Sequence, residues 1–258
     1  MLCKEIIKII ESTYPSKYAL EWDNVGLLVG RDDKEVKHIY VALDATDEVI
    51  QRAADSGADM LITHHPLIFS GMKKINNQNF IGSRVLKLIQ NDISYYAMHT
   101  NYDVMGMASL SGEKMSFENA EVLEVTSEEE CPEGIGRVAD VSEMTLRECC
   151  ELVKNRFGLD TVKVFGDLEG RVERIAISPG SGKSMVHAAL EKKADVLVTG
   201  DIDHHTGIDA VAQGLFIIDA GHYGIEHIFI EDMAGYLERL TDEVEIEKAQ
   251  IVHPFCVI

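Results

Sequence analysis

Asp59-Met60-Leu61-Ile62-Thr63-His64-His65-Pro66-Leu67-Ile68-Phe69 is an apolar run that ends in two adjacent imidazoles and is stopped by a proline. Met60 to Ile62 reads as a buried strand, and His64 and His65 fall where that strand emerges at the edge of a sheet. Open α/β sheets gather their ligands at such strand ends. Imidazole is a common metal ligand and the usual acid or base at neutral pH. Two more stretches have the same form. Ile93 to Met98 leads into His99-Thr100-Asn101-Tyr102-Asp103, and Leu215 to Ile218 is followed by His222-Tyr223-Gly224-Ile225-Glu226. A single histidine at a strand end is usually solvated or hydrogen-bonded. Six nitrogen and oxygen donors at three strand ends, with no cysteine among them, point to a metal site.

The chain has 258 residues, enough for one large or two ordinary domains. Hydrophobic residues make up 46% and charged residues 26%, the proportions of a soluble globular protein. The formal net charge of −20 repels phosphate backbones, so nucleic acid is not an expected partner. An anionic substrate would need local positive charge, which metal ions supply. The five cysteines, Cys3, Cys131, Cys149, Cys150 and Cys256, show no C-x-x-C spacing. Neither a disulfide framework nor a thiolate zinc site is expected, and a cytoplasmic location fits. The first ten residues mix Lys and Glu into their apolar positions, unlike a secretory signal. No apolar run approaches the ~20 residues of a membrane span.

Leu2, Ile6, Ile9 and Ile10 have helical spacing with one buried face. Glu21 to Gly26 is a loop before a short strand, Leu27 to Gly30. Trp22, the one tryptophan, reads as core packing at that loop. His38 to Leu43 is a strand, and Asp44-Ala45-Thr46 caps a helix to about Ser56. Beyond the His64-His65 strand come a polar loop from Ser70 to Asn79 and a helix from Phe80 to Gln90. The strand Ile93 to Met98 and a short helix from Met105 to Met115 follow. Strands alternating with helices predict a largely parallel sheet.

The second half repeats this order. Adding 136 pairs Gly30 with Gly166, Val36 with Val172, Ile39 with Ile175, Asp59 with Asp195 and Thr63 with Thr199. Thr145 to Phe157 matches the first helix, Val162 to Gly166 the first strand, and Ala220-Gly221-His222 matches Ala97-Met98-His99. The expected fold is α/β, two similar α/β domains from an internal duplication. Residues 1–120 form the first half, 134–258 the second, and 121–133 a connector with a charged turn from Ser127 to Gly134. A helix is expected from Ile225 to about Leu240. Val244 to Ile246 and Ile251 to Ile258 are strands or a docked tail.

His222 and Glu226, four apart at a helix start, share one face and can reach one metal. His99 and Asp103 have the same spacing but straddle a strand end. Neighbours His64 and His65 would diverge in a regular strand, and Pro66 allows a turn that brings both inward. Imidazoles with two carboxylates suit a dinuclear centre of Zn, Fe, Mn or Co, with water activated between two ions. Thr199-Gly200-Asp201-Ile202-Asp203-His204-His205 is the counterpart of the first histidine pair, and His205 is either an acid/base group or a solvated loop residue. Ser178 to Ser184 contains Gly-Ser-Gly-Lys-Ser, but Ile177 stands where a phosphate loop needs its first glycine. It reads as a tight turn or an anion site at a helix start.

Trp22-Asp-Asn-Val-Gly26, Ile62-Thr-His-His-Pro-Leu-Ile-Phe69, His99-Thr-Asn-Tyr-Asp103, Thr199-Gly-Asp201 and Gly221-His222-x-x-x-Glu226 together resemble the GTP cyclohydrolase I type 2 family, the interacting-factor-three-like proteins. The resemblance covers nearly the whole chain. It implies two similar α/β domains with a dinuclear metal site in the cleft between them, and a ring-shaped homohexamer. It also implies His64, His65, Asp103, His222 and Glu226 as the metal ligands. His99 is then left as a catalytic or supporting group. The short join excludes the extra domain of longer members.

The expected function is therefore a dinuclear-metal-dependent hydrolase attacking a nucleotide purine ring, with His99 or His205 moving protons. A metal-dependent phosphoesterase and a non-catalytic metal-binding scaffold are the alternatives. The expected partners are a small-molecule substrate and further copies of the chain.

Overall fold

The computed structural model describes residues 1–128, 131–241 and 243–258. In chain order the elements are α1 (Cys3–Thr13), β1 (Gly26–Val29), β2 (His38–Ala42), α2 (Asp47–Asp55), β3 (Met60–Thr63), α3 (Phe80–Gln90), β4 (Ser94–Ala97) and the single turn α4 (Thr100–Tyr102). A π-helical segment, Asp103–Met107, precedes α5 (Ala108–Lys114), β5 (Glu121–Ser127), β6 (Glu133–Thr145), α6 (Leu146–Phe157), β7 (Lys163–Phe165) and β8 (Arg171–Ser181). Then come α7 (Met185–Glu191), β9 (Val196–Gly200), α8 (His204–Ala212), β10 (Phe216–Asp219), α9 (His222–Glu226), α10 (Ile228–Leu240) and β11 (Glu245–Lys248). No helix among the described residues is long and apolar enough to cross a membrane.

The chain forms two compact units, Met1–Tyr102 with Phe229–Ile251, and Asp103–Ile228 with Val252–Ile258. The first unit holds a sheet in the order β1-β4-β3-β2-β11, parallel except where β1 meets β4. Every residue of β2, β3 and β4 is buried, as expected for parallel strands covered on both faces. The second unit holds a sheet in the order β5-β6-β8-β9-β10-β7. Here β8, β9 and β10 are parallel, and β7 joins β10 antiparallel. Its core gathers Val138, Ala176, Ala189, Leu197, Leu215 and Ile217.

The four strands β1-β4-β3-β2 and the four strands β7-β10-β9-β8 have one order and one set of directions. The match extends to single hydrogen bonds. Asp59 Oδ2 accepts from the Lys37 and His38 amides at 2.8 and 3.1 Å. Asp195 Oδ2 accepts from the Glu173 and Arg174 amides, both at 2.8 Å. The Cys3 and Lys4 amides donate to the Lys34 and Asp32 carbonyls, and the Leu146 and Arg147 amides to those of Gly170 and Leu168. The spacing of 136 thus holds for Asp59 and Asp195, for the amides they bind and for the carbonyls of the preceding loop, and it becomes 143 at the first turn of the helix.

Several expectations change. Most of the stretch read as a connector is β5, paired antiparallel with β6. Two of its residues, Glu129 and Glu130, lie outside the described residues. The 13-residue strand β6 went unread, because Gly134, Gly136 and alternating charges mask its pattern. The helix expected from Ile225 is two, α9 and α10, and the first begins at His222. The segment Phe229–Ile251 belongs with the first unit, where β11 pairs parallel with β2. Residues 251–258 form no strand. One pairing between the halves also moves by a residue. Thr63 O accepts from the Met98 amide and Thr199 O from the Ala220 amide, so His99 is equivalent to Gly221, not His222.

Candidate metal centre

In the first unit β3 ends at Thr63, and the chain turns at once. Tyr95 Oη donates to the His65 carbonyl at 3.0 Å and accepts from the Leu67 amide at 2.8 Å. That brace, placed around Pro66, brings both imidazoles to one side, with ring centroids 4.9 Å apart. His99 follows β4, the neighbouring strand, and its ring lies 5.3 Å from that of His64 and 5.6 Å from that of His65. The three residues each offer a ligand atom within 4.8 Å of the others. His64 is fully buried. His99, set apart from the ligands on family grounds, therefore stands within the histidine group.

Each ring is oriented by a bond at Nδ1. His64 Nδ1 lies 2.9 Å from the Met98 carbonyl, His65 Nδ1 2.7 Å from Asp44 Oδ1, and His99 Nδ1 3.0 Å from Asp23 Oδ1. An imidazole that gives its Nδ1 proton to an oxygen carries its lone pair on Nε2, the arrangement metal-binding histidines use. Asp23 also accepts from the Thr100 amide and hydroxyl. Burial alone would raise its pKa, but the hydrogen bonds from His99 and Thr100 outweigh that and hold the carboxyl well below the usual range. Asp23 is thus a fixed negative partner for His99.

The second unit presents His222 and Glu226 on α9. His222 Nε2 is 2.9 Å from Glu226 Oε2, the reach expected of residues four apart on a helix. His222 Nδ1 is held by Asp201 Oδ2 at 2.8 Å. Glu226 is 97% buried. Two glycines make room for this pair. A Cβ at Gly180 would meet Glu226 Oε1 at 2.5 Å, and one at Gly200 would meet the His222 amide nitrogen at 2.5 Å. Gly180 belongs to the Gly-Ser-Gly-Lys-Ser string, and a Cβ at the string's other glycine, Gly182, would run into the Thr199 side chain, so both serve close packing. Its lysine is committed as well, because Lys183 Nζ donates to Asp203, the N-cap of α8, at 2.8 Å. Asp103 opens the π-helical segment and is half-buried; such segments concentrate at functional sites.

His205 lies on the first turn of α8, exposed, with the His204 ring 5.2 Å away. It joins none of the ligand groups among the described residues. Beside Asp201 and Gly221 the second unit has a cavity of 310 Å³, also lined by Lys163, Asp219 and Phe255. Lys163 Nζ lies 2.7 Å from the buried Asp219 carboxylate.

Reading residue types missed the anchors Asp23 and Asp44. In the sequence Asp44 reads as part of a helix cap, and Asp23 has no role of its own. The Met98 carbonyl, being backbone, gives no signal in a side-chain pattern. Trp22 is the clear reversal. Expected in the core, it is 63% exposed, with its ring edge-on to His99 at 5.9 Å.

A family model for Duf34/NIF3 (NGG1p interacting factor 3) matches residues 1–254. A Clostridium perfringens (strain 13 / Type A) protein named GTP cyclohydrolase 1 type 2 homolog is 36% identical over 249 residues, covering 95% of each chain. The crystal structure of a Bacillus cereus protein related to NIF3 superimposes with a TM-score of 0.94 at 27% identity, covering 100% of this chain and 99% of that one. Reduced HcgD from Methanocaldococcus jannaschii matches with a TM-score of 0.85 at 32% identity, over 97% and 98% of the two chains.

Proposed function

The chain belongs to the Duf34/NIF3 (NGG1p interacting factor 3) family, and from that premise we propose that it is a metal-dependent hydrolase acting on the purine ring of a nucleotide. Its ligands for two divalent ions are His64, His65, Asp103, His222 and Glu226. The observation that carries this reading is the anchoring of His64, His65 and His222 at Nδ1 by Met98, Asp44 and Asp201. Rings locked in that way keep one nitrogen lone pair aimed and basic. The donors are nitrogen and oxygen only, so the set fits Zn, Fe, Mn or Co. Ions bound there supply Lewis acidity and make water a stronger nucleophile at neutral pH.

The chain's own residues have separate tasks. Asp44 and Asp201 orient His65 and His222. Gly180 and Gly200 keep the space that Glu226 and His222 fill. His99, with Nδ1 tied to Asp23, takes up or releases a proton at Nε2. The cavity beside Asp201 supports a small-molecule substrate. The relatives' printed name supports a nucleotide such as GTP as that substrate. Family membership also supports a cytoplasmic homohexamer.

The test has two parts. Elemental analysis of purified protein is expected to find close to two transition-metal ions per chain, and Glu226→Ala to lose most of them while staying soluble. Equal metal content in Glu226→Ala would remove the helix-borne ligand. Metal-replete enzyme is then assayed with GTP for formate and with phosphoesters for phosphate. His99→Ala is expected to keep its metal and to lower kcat by roughly 10²–10⁴-fold. Loss of metal in that variant would make His99 a ligand. Phosphate release alone would favour a phosphoesterase, and no product from any substrate a metal-binding scaffold.

A further inference from the structure

Trp22 and Phe69 stand beside the histidine group with most of their surface in water, 63% and 54% exposed. Each ring is edge-on to the imidazole of His99, with centroids 5.9 Å away and interplanar angles of 75° and 85°. Their positions are built. The residue after Trp22, Asp23, is bonded to His99 and Thr100. The next, Asn24, donates from Nδ2 to the carbonyl of Ile68, the residue before Phe69, at 2.6 Å. On the other side of Trp22, the Leu20 amide donates to Thr100 Oγ1 at 2.8 Å. The polar neighbours of Trp22 thus pin its loop both to the histidine strand end and to the segment carrying Phe69. The two aromatic rings themselves are left to the solvent.

Pinned aromatic rings facing water next to metal-type donors suit one ligand chemistry. A planar heteroaromatic ring stacks on such side chains whatever its edge pattern, because every base has a π-face. A phosphate or sugar phosphate gains little from them. Among the described residues no Lys or Arg is in hydrogen-bond, ion-pair or ring contact with Trp22, Phe69 or His99.

We infer that Trp22 and Phe69 hold the planar heteroaromatic ring of the substrate beside His99. The inference rests on the nucleotide-hydrolase reading above and names the part of the substrate that the first unit recognises. Stacking would present a ring carbon next to the imidazole without demanding a particular set of hydrogen-bonding edges.

Trp22 is the chain's one tryptophan, so its fluorescence reports directly on this position. Metal-loaded protein is titrated with GTP, guanosine and adenosine, and with ribose 5-phosphate and inorganic triphosphate as ring-free controls. The base-containing compounds are expected to quench the emission saturably, and the controls to leave it unchanged. Phe69→Leu, which keeps the reporter, is expected to weaken guanosine binding roughly 5- to 100-fold. Trp22→Leu is expected to do the same in equilibrium dialysis, and Trp22→Phe to retain most of the affinity. Circular dichroism and metal content matching wild type show that each variant is folded, and either variant alone suffices for the test.

The inference is overturned by quenching from the ring-free controls, by no saturable response to any base, or by unchanged guanosine affinity in the folded leucine variants. Unchanged affinity with a lower mass in light scattering would instead make Trp22 a self-association contact. Ring binding without formate or phosphate release would sink the hydrolase reading and leave this one standing. Turnover with an unchanged KM in both leucine variants would do the reverse.

Discussion

Asp44 Oδ1 is bonded to His65 Nδ1 at 2.7 Å. Asp44→Asn keeps the shape but weakens the anchor, and supporting groups of this kind are worth roughly 10- to 100-fold in metal affinity. That loss is the expected result of a competition titration with a chromogenic chelator, and an unchanged affinity would show that the ring is held by other means. Gly180→Ala should act on the second unit in the same assay. Its new methyl group would lie against the Glu226 carboxylate, and a positive φ adds backbone strain. The thiols offer a simpler check. Cys131 and Cys256 are exposed, and Cys3, Cys149 and Cys150 are buried. Burial, and after it the neighbouring Cys150, pushes the Cys149 thiol up to about 12. An aromatic disulfide reagent at neutral pH should therefore modify two cysteines quickly, and five only after denaturation. The candidate donors are legible in the chain, since a His-His-Pro stop and a His-x-x-x-Glu spacing are local. The reversal at Trp22 was not legible. Indole burial is the ordinary outcome, and only the bonds made by Asp23 and Asn24 show why this ring stays outside.

At the scale of elements, the repeated Asp59 and Asp195 bonds are the most direct test of the twofold design. Each carboxylate satisfies two amides at the start of a parallel strand, β2 in one unit and β8 in the other. Removing an acceptor of this kind costs about 1–3 kcal/mol. Asp59→Ala and Asp195→Ala should each lower stability by that amount in urea titration. Because the two residues belong to separate units, the double variant should lose about the sum. A non-additive result would indicate that the two sites share partners. These repeated bonds support duplication of one α/β unit as the origin of the chain. Periodicity and turn residues read most elements to within a residue or two. They failed at β6, where glycines and charges interrupt the alternation of a strand whose partners, β5 and β8, complete its burial.

For the whole molecule, the proposed homohexamer is tested by mass. Multi-angle light scattering is expected to give about six times the 28.7 kDa chain mass. A species that stays at the chain mass across salt and protein concentration would remove the hexamer. The pH profile of stability follows from buried acids. Burial raises Cys149 to about 12 and Tyr95 to about 12, above the values of about 9 and 10 they take when unfolded. A folded-state pKa above the unfolded one means that the unfolded chain gives up its proton first as pH rises. The stabilisation is complete below about pH 9 and is lost between there and about 12. The urea midpoint should thus hold level from neutral pH and fall on the alkaline side. Cys149→Ala should flatten that fall, and an equally steep fall would assign it to the phenols.

The sequence by itself determined the α/β class, the offset of 136 between matching central strands and the six candidate donors at three strand ends. Those features depend on a period of 2 or 3.6, on turn chemistry and on a four-residue helical reach, all of which operate within a few residues. The tertiary structure alone decided which oxygens orient the donors, because those partners are far apart along the chain. Asp23 lies 76 residues from His99, Asn24 44 from Ile68, and Asp44 21 from His65. It likewise decided that His99 stands with His64 and His65, and that His99 is the equivalent of Gly221 and not of His222. Contacts of that kind form only when strands from distant parts of the chain close into one sheet. Spacing along the chain names the residues able to take part, and the register of the sheet selects among them.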